Sequence, residues 1–448
     1  MKNSYIQFVN HASIYLNDGD IGLLTDPWYS GGAFNNGWEL LYENNDIEIK
    51  KILDKTQYIW ISHEHPDHFS VEFFKNYKDL IIKKNIKIIF QNTKDKRVCS
   101  FLDNYKIGFI ELEDFKKLDL SNNFSLSIKK YDFYDSALFI NLQGLKIFNL
   151  NDCPINDVHE LNQIKKRFGS CDILLTQFSY AAWKGGKDNI KWRKKAAEEK
   201  INTIKKQAQI LNAKTVIPFA SFIRFSNIYN DHLNDSVNTP DETKDKLKNL
   251  NSEIIFMRPH ETQYLNKINQ DDKTLQFWKE LYANKKNTNL YIKNKIFEIE
   301  EINLEFMKYC ERIYSKNSKK IMKILFAFKI FGIFQILNIY LKDLDKTISI
   351  NIIKRKIDYV EKSQADIEML SNSLVFIFKY TYGFDTLTVN GCFEETNKNG
   401  FSKMSKLFAL ENLNNLGYKL DYKFLFNYKL ISLFLKKLFN VQKKISLD

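Results

Sequence analysis

A chain of 448 residues is longer than one typical domain, and 44% hydrophobic residues with 15% aromatics are enough for real buried cores. The formal net charge of +13 is compatible with anionic partners, but it also fits lysine spread over solvated helix faces. Five cysteines lie far apart with no CxxC pair, which argues against a disulfide framework or zinc ribbon and fits a reducing cytoplasm.

The opening "MKNSYIQFVNHASIYL" has no apolar core of the kind a secretory signal needs. "IGLLTDP" reads as a short buried strand ending at Asp26. The loop after it, "WYSGGAFNNGW", is rich in Gly, Asn and aromatics. "YIWISHEHPDH" is a strand that runs into a histidine cluster, and "SVEFFKNYKDLIIKK" after it has a helical pattern. "LKIFNLNDC" is a strand ending at Asp152. "CDILLTQFS" and "KTVIPFAS" are two more apolar runs that stop at polar residues. The helical "KWRKKAAEEKINTIKKQAQILNA" lies between them. Short apolar runs bounded by loops suit strands buried on both faces, and their alternation with helices indicates an α/β layered domain over residues 1–270.

Residues 271–448 carry no metal motif and read as a mostly helical α+β lobe. "TLQFWKELYANKK" and "IMKILFAFKIFGIFQILNIYLKDLD" are expected as helices, the latter amphipathic rather than spanning. "KTISINIIKRKIDYVEK" is expected as strand. The basic, aromatic tail from Tyr422 suits covering an apolar face or touching a membrane surface. No helix-turn-helix, RNP-type or zinc-finger pattern points to nucleic acid.

The histidine cluster carries the chemistry. Of seven histidines, His63, His65 and His68 fall within six positions, with Asp67 among them. Two residues apart on an extended segment, His63 and His65 point the same way. Neutral imidazole suits zinc or iron, and carboxylate adds a harder donor. Asp67 and His68, where the chain turns, can face a second metal position, or Asp67 can act as a base. Trp28, Phe34 and Trp38 of the glycine-rich loop can stack on a sugar or base, and Asn35 can hydrogen-bond hydroxyls. Lys184 and Lys187 in "AAWKGGKDN" are candidates for holding phosphate.

"HEHPDH" fits HxHxDH and resembles the metallo-β-lactamase superfamily, which implies an αββα sandwich with metal between the sheet edges. "TDPWYSGGAFNNGWEL", "ISHEHPDHFS", "IFNLNDC" and "IPFASFIRFSN" together resemble the non-Rieske part of the CMP-N-acetylneuraminate hydroxylases. "NHASIYL" with "LLTDPW" is similar to the lactonase-like and phospholipase-D-like branch. The resemblance implies one or two metal ions, iron or zinc. It makes Asp152 the bridging carboxylate, and Asp26 and His11 supports beside the ligands. It also implies a histidine before the Asp152 strand, where "SIKKYDFYDSALFI" has none, so that Tyr131 or Asp132 would stand in. The last superfamily histidine falls near Asn227 and His232, and His232 is the candidate ligand; His159 and His260 read as surface residues.

Three functions stay open on this reading. The first is an oxygenase that hydroxylates an N-acyl group on a nucleotide sugar. Rieske clusters need Cys-X-His pairs, which the sequence lacks, so electrons would come from a separate protein. The second is a metal-dependent hydrolase of an ester, lactone, amide or phosphodiester. The third is a degenerate binding protein without activity. The C-terminal lobe is weakly similar to a sterol-carrier-like lobe, with capping or dimerisation the plainer role.

Overall fold

The computed structural model describes residues 4–131, 135–284, 295–415, 417–425 and 431. Two seven-stranded sheets form the N-terminal half. In the first, Tyr5–Asn10, Ser13–Asn17 and Gly22–Thr25 are antiparallel neighbours, with Thr262–Tyr264 on the outer edge. Tyr58–Trp60, Lys87–Gln91 and Phe109–Leu112 then continue the sheet in parallel from Gly22–Thr25. In the second, Lys117–Ser121, Phe124–Tyr131, Asp135–Leu142 and Leu145–Asn151 form an antiparallel meander. Parallel Ile173–Gln177, Thr215–Phe219 and Glu253–Ile254 complete it.

Alternation along each strand sorts side chains between two cores. Trp60 and Ile89 face inward and join Leu126, Leu138 and Leu174 of the other sheet. Their neighbours Ile59 and Ile88 face outward, against Leu53, Phe74 and Leu102 of the helices Asp46–Leu53, Val71–Lys83 and Arg97–Asn104. Helices Val158–Phe168 and Ile190–Leu211 pack on the second sheet through Leu161, Ile164, Ile201 and Leu211. Truncating one such buried side chain costs about 2–5 kcal/mol. The layering is the expected αββα sandwich.

The core runs past residue 270. Helix Asp272–Asn284 places Trp278 at full burial in the first core, stacked on Phe222 at 3.9 Å and donating to Met257 O. Beyond it lies a five-stranded sheet, ordered Lys356–Tyr359, Lys346–Asn351, Leu337–Leu341, Ile367–Met369 and Glu394–Glu395. Helices Ile299–Lys316, Ser371–Lys379 and Gly400–Asn415 pack with it. Arg312 Nε donates to buried Glu411 Oε1 at 2.7 Å and joins two of these helices.

The long helix expected over 321–341 is not formed. Helix Lys319–Ala327 stops, left-handed residues at Lys329, Gly332 and Phe334 turn the chain, and Leu337–Leu341 is a strand. The β-branched and aromatic run "LNIYL" pairs with Lys346–Asn351, which outweighs its helix-like continuity with the preceding segment. The stretch 346–362 forms a hairpin, Lys346–Asn351 with Lys356–Tyr359. Among the described residues no helix is long and apolar enough to cross a membrane. Most of the basic tail, and with it the expected membrane contact, lies outside the described residues.

Candidate metal centre

Strand Tyr58–Trp60 delivers the histidine cluster to the sheet edge, and a tight turn then folds it back. His68 N and Phe69 N both donate to His65 O, and Ser70 Oγ caps helix Val71–Lys83 by accepting from Phe73 N. Such a cap is worth about 1 kcal/mol. It fixes where the helix starts, and so where the turn ends. The Ser62 carbonyl is held from two sides, by Gln91 Nε2 at 3.1 Å and Ser136 Oγ at 2.7 Å.

The side chains converge. His63 Nε2 lies 2.9 Å from His65 Nδ1, 3.8 Å from Asp152 Oδ2 and 3.7 Å from Asp135 Oδ1. His68 Nε2 lies 3.2 Å from Asp67 Oδ2 and 3.7 Å from Asp152 Oδ2. His11 Nε2 approaches Asp67 Oδ2 to 3.4 Å. Two groups of three have ligand atoms close enough to share a cation, namely His63–His68–Asp152 and His11–Asp67–His68. His68 is common to both.

The electrostatics point the same way. Burial lowers the pKa of His63 and His11, and that of His65 to about 4, so these rings stay neutral and ligand-ready at neutral pH. Burial also disfavours a charged His68, but Asp67, Asp152 and Asp26 outweigh it and hold its pKa well above the usual histidine range. Burial alone would raise Asp67, yet His68 and His11 hold it well below the carboxylate range. Asp152 is likewise lowered against burial by His63 and His68.

Donor chemistry supports a cation here. Among the described residues, Asp67 Oδ1, Asp152 Oδ1 and His11 Nδ1 are buried without a hydrogen-bond partner. Buried carboxylate oxygens left unpaired are costly, and a metal among these donors removes the cost. The residues therefore fit a bound metal.

Backbone strain collects at the same place. His11, Asp26, Asn151 and Ala220 all adopt left-handed φ between 35° and 53°. Each such residue costs of order 1–3 kcal/mol and persists only where its surroundings hold it. Ala220 N donates to His11 O at 2.8 Å, and Asn151 Nδ2 donates to Asp26 Oδ2 at 2.8 Å, so the strained residues brace one another.

Residues 5–220 match the model described as a beta-lactamase superfamily domain. This part of the chain has the metallo-β-lactamase fold. Among curated proteins, the mouse cytidine monophosphate-N-acetylneuraminic acid hydroxylase is 25% identical over 273 residues, covering 57% of this chain and 45% of its own length. The human relative, named as inactive, is 23% identical over 273 residues, covering 57% of this chain and 52% of its own. The chain thus spans about half the length of the curated relatives it matches. Among solved structures, a possible metal-dependent hydrolase from Veillonella parvula aligns with TM-score 0.44 and 14% identity, over 59% of this chain and 100% of its own. CmlA, a diiron β-hydroxylase from Streptomyces venezuelae, aligns with TM-score 0.40 and 11% identity, over 59% of this chain and 54% of its own.

In this metallo-β-lactamase domain the structure brings together His63, His65, Asp67, His68 and Asp152. Asp26 sits behind them as a support: Oδ1 accepts from Ser62 N at 2.8 Å and Oδ2 faces His68 Nδ1 at 3.2 Å. His11, expected only as a support, lies instead in one of the metal-capable groups. His232 does not join them. Its Nε2 faces Gly185 O at 3.2 Å and its Nδ1 faces Glu394 at 3.7 Å, because its 3-10 turn packs toward the C-terminal lobe.

Asp135 takes the place expected of Tyr131 or Asp132. Tyr131 turns its hydroxyl to Pro154 O, and Asp132 lies outside the described residues. The signal for Asp135 was register: the pairing Leu138 with Asn149, continued three residues, sets Asp135 opposite Asp152. Lys200 was also missed. It hydrogen-bonds Gln177 Oε1 at the end of a neighbouring strand. Burial lowers its pKa, while Asp152, Cys153 and Asp135 raise it.

The aromatic loop lies over the centre. Phe34 stacks edge-on to His65 at 5.6 Å and Trp28 to His11 at 5.4 Å. Trp38 is buried between Phe34 and Phe225, and Asn35 Nδ2 donates to Asn372 Oδ1 of the C-terminal lobe. Both residues thus serve packing between the lobes, and the stacking on a ligand expected of Trp38 is not open to a ring buried on both sides. Lys184 Nζ lies 3.4 Å from Trp183 O, and Lys187 acts on Glu394. The backbone of their loop is already taken, since Arg193 donates to Gly186 O and Lys187 O.

Proposed function

We propose that this chain is a metal-dependent enzyme acting on an N-acyl nucleotide sugar, as an oxygenase of the CMP-N-acetylneuraminate hydroxylase kind. The observation that carries a metal-dependent reading is the pair of buried, unpartnered carboxylate oxygens on Asp67 and Asp152 among His11, His63, His65 and His68. The substrate class is supported by the printed names of the curated relatives, matched over 273 residues.

A metal held by these residues supplies redox chemistry if it is iron, or Lewis acidity if it is zinc. The chain's own residues do the rest. Neutral His63 and His65 offer lone pairs without first losing a proton. Asp26, Asn151 and Ser62 fix the His68 ring through its Nδ1 side. Asp67, held far below the usual carboxylate range, is a poor base and a good anionic ligand. Asp135 keeps a partly exposed carboxylate beside His63, while Asp152, lowered against burial by His63 and His68, is better suited to binding a cation than to taking a proton. Phe34 and Trp28 exclude water from above.

A hydrolase of an ester, lactone, amide or phosphodiester is the second reading. The second metal-capable group, His11–Asp67–His68, favours it, because paired metals suit hydrolytic displacement. A non-catalytic binding role is the third, and one relative carries the name inactive. The oxygenase reading includes electrons from a separate protein and a reducing, cytoplasmic setting for five free, buried cysteines. Metal analysis of the purified chain, with absorption spectra before and after dithionite, separates the three. Iron with a reducible band supports the oxygenase, zinc the hydrolase, and no bound metal the binding protein.

A further inference from the structure

A second site lies beside the metal centre. Between the N-terminal domain and the C-terminal lobe runs a cleft of about 520 Å³, lined on one side by residues 91–95, Arg97 and Lys130, and on the other by Lys316, Thr381, residues 414–415 and residues 417–418. That volume falls within the range of about 300–1,000 Å³ typical of small-molecule sites, which favour interfaces between lobes.

The cleft shares its floor with the metal centre. Gln91 lines it, and the Gln91 amide donates to the carbonyl of Ser62, the residue before His63. Lys130 lines it too, and its ladder partner Ser136 donates to the same carbonyl. Arg97, also in the lining, reaches to 3.8 Å from Glu64, which lies between His63 and His65. The cleft wall is therefore tied by hydrogen bonds and an ion-pair contact to the turn that carries His63 and His65.

Its charge is one-sided. Lys94, Arg97, Lys130 and Lys316 line it against one acid, Asp95. Asp95 is engaged by Arg97 through both Nε and a terminal nitrogen, at 2.6 and 2.5 Å. Lys94 and Lys316, on opposite walls, have no ion-pair partner among the described residues and are exposed. A cleft lined by four cations against one acid that is already engaged attracts an anion, and a dianion is held more strongly there than a single charge. Tyr418 in the same lining offers a flat apolar face next to the charges.

We propose that this cleft binds the phosphate of a nucleotide, with the rest of the substrate reaching along the Gln91–Ser62 floor to the metal. The nucleotide class rests on the proposed function; the anion site rests on the cleft. Lys94 and Lys316 thus take the role that Lys184 and Lys187 suggested in the sequence.

The test is calorimetric titration of the full chain with CMP and with cytidine, at low and moderate salt. CMP should bind at least about tenfold more tightly than cytidine, and weaken as salt rises. Lys94→Glu with Lys316→Glu should lower CMP affinity at least about tenfold while metal content and melting temperature stay at wild-type values. Equal affinity for CMP and cytidine, no CMP binding, or unchanged CMP affinity in the double variant would each overturn the cleft site. Lys316→Ala alone, a milder change, should give a smaller loss in the same direction. The His63→Ala, His65→Ala protein should lose metal yet keep its CMP affinity. That result separates a failure of the metal reading from a failure of the cleft.

Discussion

Asp67 Oδ2 stands 3.4 Å from His11 Nε2, which joins the first hairpin of the chain to the turn that bears the histidine cluster. This contact sets His11 among the donors that could hold a cation with Asp67 and His68, and its role as ligand or prop is open to test. At saturating metal, His11→Ala should bind about one equivalent less than wild type by elemental analysis. A merely supporting His11 would weaken affinity, by about 10–100-fold, and leave the stoichiometry alone.

Asp67→Asn keeps the shape and removes the charge that His68 and His11 stabilise. Bound metal should fall first, and turnover with it, by about 10²-fold or more. A variant that keeps full metal yet loses rate would return Asp67 to the role of base.

Metal uptake should release a proton. In the metal-free protein the neighbouring Asp67, Asp152 and Asp26 outweigh burial and raise the His68 pKa, which favours the protonated ring, and a ligand must be neutral. His63 and His65 have lowered values and release none. Titrating zinc in buffers of different ionisation enthalpy at pH 7 should therefore report roughly one proton lost. The number should shrink as pH rises through the raised His68 value. Zero protons at pH 7 would mean that His68 starts neutral.

Lys200 should act on the reacting side rather than on folding. Its ammonium faces the field of Asp152 and Asp135. Lys200→Met should keep metal content and cut kcat/KM about tenfold or more, with the acidic limb of the pH profile moved upward as the two carboxylates lose a nearby positive charge. An unmoved profile would leave Lys200 a packing residue.

The Arg312–Glu411 pair sets a stability test. Burial raises the Glu411 pKa to about 7, with Arg312 working against it. An acid whose folded pKa lies above its unfolded value favours folding when protonated, so stability is lost as pH rises from about 4.5 to 7. Arg312→Met removes the partner and leaves a buried carboxylate, at a cost of about 3–5 kcal/mol at pH 8. The cost should be much smaller at pH 5, where Glu411 is protonated. A melting-temperature loss independent of pH would contradict this.

The sandwich and the cluster were legible because their signals are local. Short apolar runs ending in Asp26, His63 and Asp152 put the candidate ligands and their support on strand ends without any tertiary information. Asp135 was not legible in that way. It sits in a strand start that reads as ordinary polar alternation, and only the register with Leu145–Asn151 sets it by Asp152. His11 needed the contact of two distant segments, and its left-handed backbone at φ 35° leaves no mark on a sequence that has histidine there. His232 misled because spacing alone placed it near the site, while its 3-10 turn faces Glu394. The run over 321–341 misled because an apolar stretch looks alike in a helix and in a helix–turn–strand until left-handed Lys329 and Phe334 are seen.

The loop over the centre is held from far down the chain. Phe34, left-handed at φ 50° above His65, is kept there by Asn390, whose amide donates to Phe34 O at 2.8 Å. Trp28, Phe34 and Trp38 belong to one buried cluster with Ile339, Phe378 and Phe408. The loop over the centre and the C-terminal lobe should therefore unfold together. Recombining this chain with a relative at a junction near residue 270 would graft a foreign keel under a native roof, and the chimera would inherit its water-tightness from neither parent. A functional exchange has to carry residues 28–40 and 180–237 together with the lobe, so inheritance in this architecture follows spatial seams rather than the linear order of the chain.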